Sequence, residues 1–432
     1  MSLKKSLIKN TGYNLLGYFY LLLASFFSIS ILLNHLGRDV FGVYILLVSF
    51  ISIAAVFDFG ISSAVVRKLS LPQTTRDDKI KTWKTSFAIF TVFALILFIG
   101  TIAILSFLTQ TMSIFTYLDQ VTISWSILIL AIIIFVNHIN THFLNLPQAE
   151  QRFDIFNIKT LLVGSANTLI SAFVSGYYPN IAFILFVQLI FHLLTFIYML
   201  IYSLRVFSGS DFTPAYDKQT GRELFSFGLR NFIGTLAGQV ESQFSNFMLG
   251  ATVSARAITS FNIPQSIVAK GAGVISQFAQ AFFPLSASLL EKDRIKKLKA
   301  LVLGVEGLAL LGGLVAVALT FIIGEPFLLW WLKDIVVVEA AYPVLKVLSF
   351  YFLLVSLTPV PTALLQGLDK PQITSFFAVL TVVLEIGFAL VLIPRLGPLG
   401  AAYSFLLSVI ISIPPFLITT SYLLTKKITE YE

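Results

Sequence analysis

Seven charged side chains fall inside long apolar stretches of this chain: Asp58, Arg230, Glu241, Lys270, Glu306, Lys346 and Glu385. Charge at the centre of a bilayer costs at least about 2.5–3.5 kcal/mol on insertion scales, so each case needs a reason: an ion path, a ligand contact or an ion pair between helices. Arg230 and Glu241 lie about three helical turns apart and so share one face, which Gly234, Gly238 and Ser245 extend as a small, polar stripe. The first apolar stretch carries a comparable stripe in Asn14, Gly17, Ser28 and His35. At a rise of about 1.5 Å per residue, Glu241 lies ~7 Å and Lys270 ~4 Å outward of their span centres. Depth alone therefore allows the two to pair. Lys270 lies in a glycine-flanked segment (Gly271, Gly273) and can attract an anion, with Arg230 nearer the inner surface as its guide. Asn14, Asp58 and Gln277 are candidate polar contacts for the same ligand, and Glu241 is the candidate for coupling to H⁺ or Na⁺. Lys346 lies near a span end and can snorkel. Glu306 and Glu385 lack a cationic neighbour in sequence and read as carboxyls that are protonated or packed between helices.

His138 and His142 stand at i and i+4, with His192 in a later stretch. That spacing places two imidazoles on one helix face, as a metal site needs. The residues around them are Asn137, Asn140, Thr141 and Asn145 with no carboxylate at short spacing, so a hydrogen-bonded polar lining is the expectation and no metal site is assigned. The chain has no G-x-S-x-G elbow, no phosphate-cradling Gly-rich loop with Lys, and no H-E-x-x-H helix. No catalytic residue or cofactor is assigned, and the chain reads as a non-enzyme.

The elements that must position these residues are membrane spans. The 432 residues are 57% hydrophobic and 12% charged, with a mean hydropathy of +0.90. A helix needs about 20 apolar residues to cross the hydrocarbon core, and its backbone groups must bond within the segment. About twelve such segments occur, the first at 10–34, the second at 39–66, the seventh at 223–249, the eighth at 259–286 and the last at 398–424. Of the 29 Lys and Arg, 22 lie in the two tails and in every second gap, and 4 lie in the opposite gaps. Basic loops resist translocation, so the rich side is cytoplasmic and both termini are expected there. The net charge of +8 is thus inner-surface topology and attraction to anionic lipid rather than a nucleic-acid surface. The first span is long and leads directly into another, so it is expected to be retained rather than cleaved. With no cysteine there are no disulfides and no thiolate ligands.

The chain also corresponds weakly with itself. At a shift of 218 positions, Gln148-Ala149-Glu150-Gln151-Arg152 falls on Gln366-Gly367-Leu368-Asp369-Lys370, and Arg38 falls on Arg256. Six spans per half give the halves the same orientation, as parallel repeats about an axis along the membrane normal, with a substrate path between them. The fold expected is an all-α polytopic membrane protein of two six-helix bundles around a central cavity. The bundles are residues 1–210 and 211–432, joined through the polar segment 205–222.

Leu36-Gly37-Arg38-Asp39-Val40-Phe41-Gly42-Val43-Tyr44, then Phe57-Asp58-Phe59-Gly60 and Arg67, resembles the opening of the polysaccharide-biosynthesis flippases (Wzx-type O-antigen transporters) of the multidrug/oligosaccharidyl-lipid/polysaccharide exporter superfamily. Phe283-Pro284-Leu285-Ser286, Leu329-Trp330-Trp331-Leu332 and the run from Leu392 to Ala402 continue the resemblance over nearly the whole chain. It implies transfer of an undecaprenyl-pyrophosphate-linked oligosaccharide, an O-antigen or exopolysaccharide repeat unit, from the cytoplasmic to the periplasmic leaflet of a bacterial inner membrane by alternating access. The implied partners are that lipid-linked substrate, membrane lipids and other membrane proteins of polysaccharide assembly. Family members often carry Asp where Glu241 stands, which keeps the carboxylate and alters its reach. Lys270 and Arg230 suit a pyrophosphate on physical grounds alone. The alternative is a cation-coupled multidrug exporter of the same superfamily, which would need acidic charge to dominate the cavity.

Overall fold

The computed structural model describes residues 3–279, 292–367 and 370–430. For part of these, including 3–16, 230–231, 233–235 and 292–303, it describes the backbone alone. The described chain is helical, in the order α1 (Leu3–Leu36), α2 (Arg38–Ala54), α3 (Ile61–Ser70), α4 (Arg76–Thr111), α5 (Gln120–Ala149), α6 (Phe153–Ser165), α7 (Ser171–Tyr177), α8 (Ile181–Ser203), α9 (Lys218–Thr252), α10 (Ala255–Ala279), α11 (Lys292–Leu332), α12 (Ile335–Val355), α13 (Pro359–Gly367), α14 (Pro371–Leu396) and α15 (Pro398–Glu430). A π turn at Ala166–Ile170 joins α6 and α7 into one span. Several helix starts carry side-chain caps, which satisfy N-terminal amides that otherwise lack partners. Thr75 accepts from the Asp78 amide, Asp119 from Thr122 and Asn180 from Phe183.

Among the described residues, nine helices are long and apolar enough to cross a membrane. The three remaining expected spans fall short for identifiable reasons. The second is split into α2 and α3 by a turn at 55–60. The seventh and eighth, α9 and α10, carry many polar residues, among them Arg230, Gln239, Glu241, Gln243, Gln265 and Lys270. These three are the segments to which sequence assigns most of the ligand contacts. Large apolar side chains on the outer faces stay exposed, such as Ile99 at 64%, Phe107 at 63% and Ile322 at 73%, which suits a surface solvated by lipid tails. With lipid as solvent, close packing rather than water exclusion holds the helices together.

The chain divides into two compact units, Met1–Gln239 and Val240–Glu432, and the division falls within α9, C-terminal to the expected joint. In the N-terminal unit, α5 packs on α4 and α8. Its aromatic core centres on Trp83, fully buried, stacked on Phe207 at 4.6 Å and 4.0 Å from the His142 ring. In the C-terminal unit α14 packs on α15, and α12 on α10, α11 and α15.

The break in the second span is built by one short motif. Asp58 Oδ1 accepts from the Gly60 amide at 2.9 Å, the turn that Asp favours two residues ahead. Phe59 and Gly60 both have positive φ, 51° and 71°. Gly60 also lies directly against α9: a Cβ there would meet the Gly228 carbonyl oxygen well inside contact distance, and a Cβ on Gly228 would lie 2.5 Å from the Phe59 oxygen. Gly228→Ala keeps an ordinary helical φ, so it tests the approach alone. It is expected to cost about 1–3 kcal/mol by overpacking and to lower the unfolding temperature of the detergent-solubilised protein. Gly60→Ala adds roughly 1–2 kcal/mol of left-handed strain and should reduce folded yield further. Gly100→Ala, with open space around its Cβ, is the control expected to leave the unfolding temperature unchanged or higher.

Candidate functional site

Each unit holds its own polar cavity. In the C-terminal unit a cavity of about 230 Å³ is lined by Glu241 of α9, Tyr351 of α12, Thr374 and Thr381 of α14, Ser412 of α15 and the rings of Phe377 and Phe416. The Tyr351 hydroxyl donates to Glu241 Oε1 at 3.1 Å. Glu385, also on α14, is completely buried, and among the described residues neither of its carboxyl oxygens has a hydrogen-bond partner. It feels the charge of Glu241, and the Tyr351 hydroxyl feels both carboxylates. Thr374 Oγ1 is likewise buried without a partner, whereas Thr381 donates to Ser412 Oγ at 2.8 Å. Thr374, Ala378, Thr381 and Glu385 fall at i, i+4, i+7 and i+11, one face of α14.

The buried Glu385 and the half-buried Glu241 beside it cannot both stay charged without compensation, because the effective desolvation penalty of a buried ion is several kcal/mol. A proton or a bound cation supplies that compensation. The hydroxyls of Thr374, Thr381, Ser412 and Tyr351 are oxygen donors of the kind hard cations take. The oxygen set is of the kind that can hold a proton or a small cation.

The N-terminal unit holds a cavity of about 660 Å³ lined by Asp58, Gly60, Ser62, Ser63, Val66, Arg67, Ser70, Gln148 and Phe232. Ser62 Oγ is buried with no hydrogen-bond partner among the described residues. Arg67 lies over the Phe227 ring, 4.9 Å from its centroid. The Phe59 ring is 4.7 Å from that of Phe232, which ties the break in the second span to the inner half of α9.

The sequence-expected residues distribute as follows. Asp58 lines the N-terminal cavity, though one carboxylate oxygen is used in holding the turn. Glu241 lines the C-terminal cavity, and the hydrogen bond described for it is with Tyr351, where depth alone suggested Lys270. Lys270 and Gln277 lie half-buried on α10, with Lys270 Nζ 3.5 Å from the Ser266 carbonyl oxygen. A Cβ on Gly271 would lie 3.0 Å from the Phe352 ring, so this part of α10 lies against α12. Gln265, an amide expected in the eighth span, donates to the Ser242 carbonyl at 3.3 Å and joins α10 to α9. The side chains of Asn14 and Arg230 lie outside the described residues, as do Phe283-Pro284-Leu285-Ser286.

Three residues were not singled out as site residues by sequence. Tyr351 has no motif around it. Arg67 counts in the sequence as one of the basic residues that set orientation and as part of the family-like opening. Glu385 reads as a packing carboxyl, yet the hydroxyl face Thr374–Thr381 leading to it was the signal available. The imidazoles occupy a separate place, the core of the N-terminal unit. His142 Nδ1 is 3.2 Å from Ser86 Oγ, and the His138 ring is 5.2 Å from that of Phe90.

Comparison with known proteins gives consistent relatives. The sequence profile of a family described as "Polysaccharide biosynthesis protein" matches residues 7–290. A Shigella flexneri protein described as a "Putative O-antigen transporter" is 23% identical over 99% of this chain and 100% of its own length. Among solved structures, an inward-facing multidrug resistance MATE family transporter of the MOP superfamily is similar with a TM-score of 0.69, at 15% identity over 96% of both chains. The lipid II flippase MurJ in an inward closed conformation is similar with a TM-score of 0.67, at 13% identity over 97% of this chain and 87% of its own. These similarities show a shared all-helical membrane fold.

Proposed function

Since this chain belongs to the polysaccharide biosynthesis protein family, we propose that it moves an undecaprenyl-pyrophosphate-linked oligosaccharide, an O-antigen or exopolysaccharide repeat unit, from the cytoplasmic to the periplasmic leaflet by alternating access. The observation that carries this reading is the correspondence with the Shigella relative along the whole of both chains. The physics suits the cargo. A sugar-pyrophosphate head cannot cross hydrocarbon unaided, whereas its polyprenyl tail can stay within it. A membrane-embedded cation such as Lys270 offsets the pyrophosphate charge, and Arg230 guides it from the basic side. Asn14, Asp58 and Gln277 meet sugar hydroxyls. No bond is made or broken, so the protein is a transporter and not an enzyme.

Coupling is assigned to the Glu241–Tyr351–Glu385 group. A proton or Na⁺ held there compensates the two carboxyls, and its release leaves a buried charge that favours a different packing of the unit. An ion drives transport only to the extent that it binds the two conformations unequally. Support for this assignment is Glu385, fully buried and without a hydrogen-bond partner among the described residues, on the α14 face whose Thr374 and Thr381 line the cavity.

Liposomes containing the purified protein and a fluorescent lipid-linked oligosaccharide test the reading directly. Transfer between leaflets is expected, and it should respond to an H⁺ or Na⁺ gradient. No transfer, together with gradient-driven movement of a cationic dye, would replace it with multidrug export, which the MATE-like fold also accommodates. The protein is placed in the bacterial inner membrane with both termini cytoplasmic. A cysteine introduced at Ser70, the only one in the chain, is then expected to resist an impermeant thiol reagent in intact cells and to react after permeabilisation. Labelling in intact cells would reverse the orientation.

A further inference from the structure

A second groove lies on the basic face of the N-terminal unit. It has a volume of about 620 Å³ and is built from the end of α3, the loop after it, the start of α4 and the first turns of α9. Its polar wall includes Arg67, Lys68, Gln73, Lys81, Asp217 and Gln219, and Leu71, Leu224 and Phe227 form its apolar side. We propose that this groove is a binding site for a phosphorylated, hydroxyl-bearing lipid headgroup, with Arg67 and Lys81 holding the phosphate and the surrounding amides and carboxylates holding the hydroxyls.

The placement of Arg67, not net charge, points to an anion. The groove has as many acids as bases, and the hydrogen bonds of the carboxylates leave them charged but hold them in place. Glu223 takes Lys68 at 2.6 Å, Asp78 accepts from the Thr75 hydroxyl at 2.7 Å, and Asp217 accepts from the Thr220 amide at 2.8 Å. Among the described residues, Arg67 and Lys81 have no ion pair, although Asp217 feels the charge of Lys81. Arg67 lies with its guanidinium over the Phe227 ring. Stacking uses the face of that group and leaves its in-plane N–H donors for a phosphate, which they fit bidentately. Each engaged carboxylate still has lone pairs that accept from hydroxyls.

Size narrows the ligand. Small-molecule sites run to about 300–1,000 Å³, so this groove takes a phosphate with one or two attached rings or a glycerol, and not a whole oligosaccharide. Arg67 also lines the 660 Å³ cavity on the other side of α3, where Asp58, Ser62 and Gln148 stand. A headgroup held at Arg67 is thus also at the wall of that cavity. The site rests on the flippase reading only for which lipid supplies the phosphate: the carrier lipid of the cargo or a phospholipid such as phosphatidylglycerol.

The full-length protein in phosphatidylcholine nanodiscs tests this with two probes. Glucose 1-phosphate binding is read by calorimetry, and retention of added phosphatidylglycerol by native mass spectrometry. Arg67→Ala should weaken at least one of them about tenfold or more, the effect of removing a charge-assisted hydrogen bond. Arg67→Lys should recover part of that loss. Lys79→Ala, which removes a nearby cation outside the groove, should leave both unchanged. Arg67-dependent glucose 1-phosphate binding that phosphatidylglycerol does not displace assigns the site to the carrier headgroup, and displacement assigns it to phospholipid. Binding of both probes that is indifferent to Arg67, or weakened equally by Lys79→Ala, overturns the proposal. The assay needs no transport. A protein that binds its probes but moves no oligosaccharide sinks the flippase reading alone, and an active flippase with Arg67-independent binding sinks this site alone.

Discussion

Glu385→Gln protein in liposomes is expected to move its cargo at the same rate with and without an ion gradient, so that the ratio of the two rates falls to about one. The amide is nearly isosteric and cannot take or release a proton at neutral pH. In the native protein Glu385 is fully buried with both oxygens partnerless among the described residues, and Glu241 lies close enough for its charge to be felt. Glu241→Gln should behave alike while still binding the lipid-linked oligosaccharide, since the Tyr351 hydroxyl can donate to an amide oxygen as it does to the carboxylate. Tyr351→Phe is the milder change. It leaves Glu241 without its described hydrogen bond, a loss of ~1–3 kcal/mol for a buried acceptor, and should shift the gradient dependence without abolishing it. Unchanged gradient dependence in both Gln variants would remove coupling from this cavity and leave Glu385 as a packing carboxyl, as its sequence context suggests.

Lys270→Ala is expected to reduce leaflet transfer by roughly ten- to 150-fold, corresponding to the ~1.5–3 kcal/mol of a charged hydrogen bond, while protein abundance stays near normal. Lys270→Arg should retain part of the activity, because the pyrophosphate needs charge more than a particular donor shape. The half-buried position of Lys270, with Nζ 3.5 Å from the Ser266 carbonyl oxygen, places the ammonium within reach of its own helix backbone. Its loss should therefore perturb packing little. Parallel loss of folded protein and activity would instead make Lys270 a structural element of α10.

The two predictions rest on features of different legibility. Lys270 is visible in sequence because a lysine in an apolar segment is expensive wherever the helix ends up. The Glu385 site is not visible in this way. A carboxyl on one face of α14 acquires meaning only when Tyr351 of α12 and Glu241 of α9 arrive beside it, 34 and 144 positions earlier in the chain. Nothing local specifies which helix faces will meet, since the same stripe of Thr and Glu could equally pair a neighbouring helix.

Membrane class, helical character and most of the spans follow from sequence alone, because the demand for about 20 apolar, internally bonded residues is a local one. Sequence also marks the seventh and eighth segments, whose polar residues separate them from ordinary spans. Only the tertiary structure shows that the second span is broken at 55–60, where Asp58 holds a turn and Gly60 meets Gly228 at backbone distance. Phe57-Asp58-Phe59-Gly60 is readable as a motif, but the requirement for glycine comes from a helix about 170 residues away. Arg67 shows the same division. As a charge in a loop it sets orientation, and composition suffices for that. Its place between two cavities depends on α9 bringing Phe227 under its guanidinium, a long-range contact that residue type and spacing do not encode.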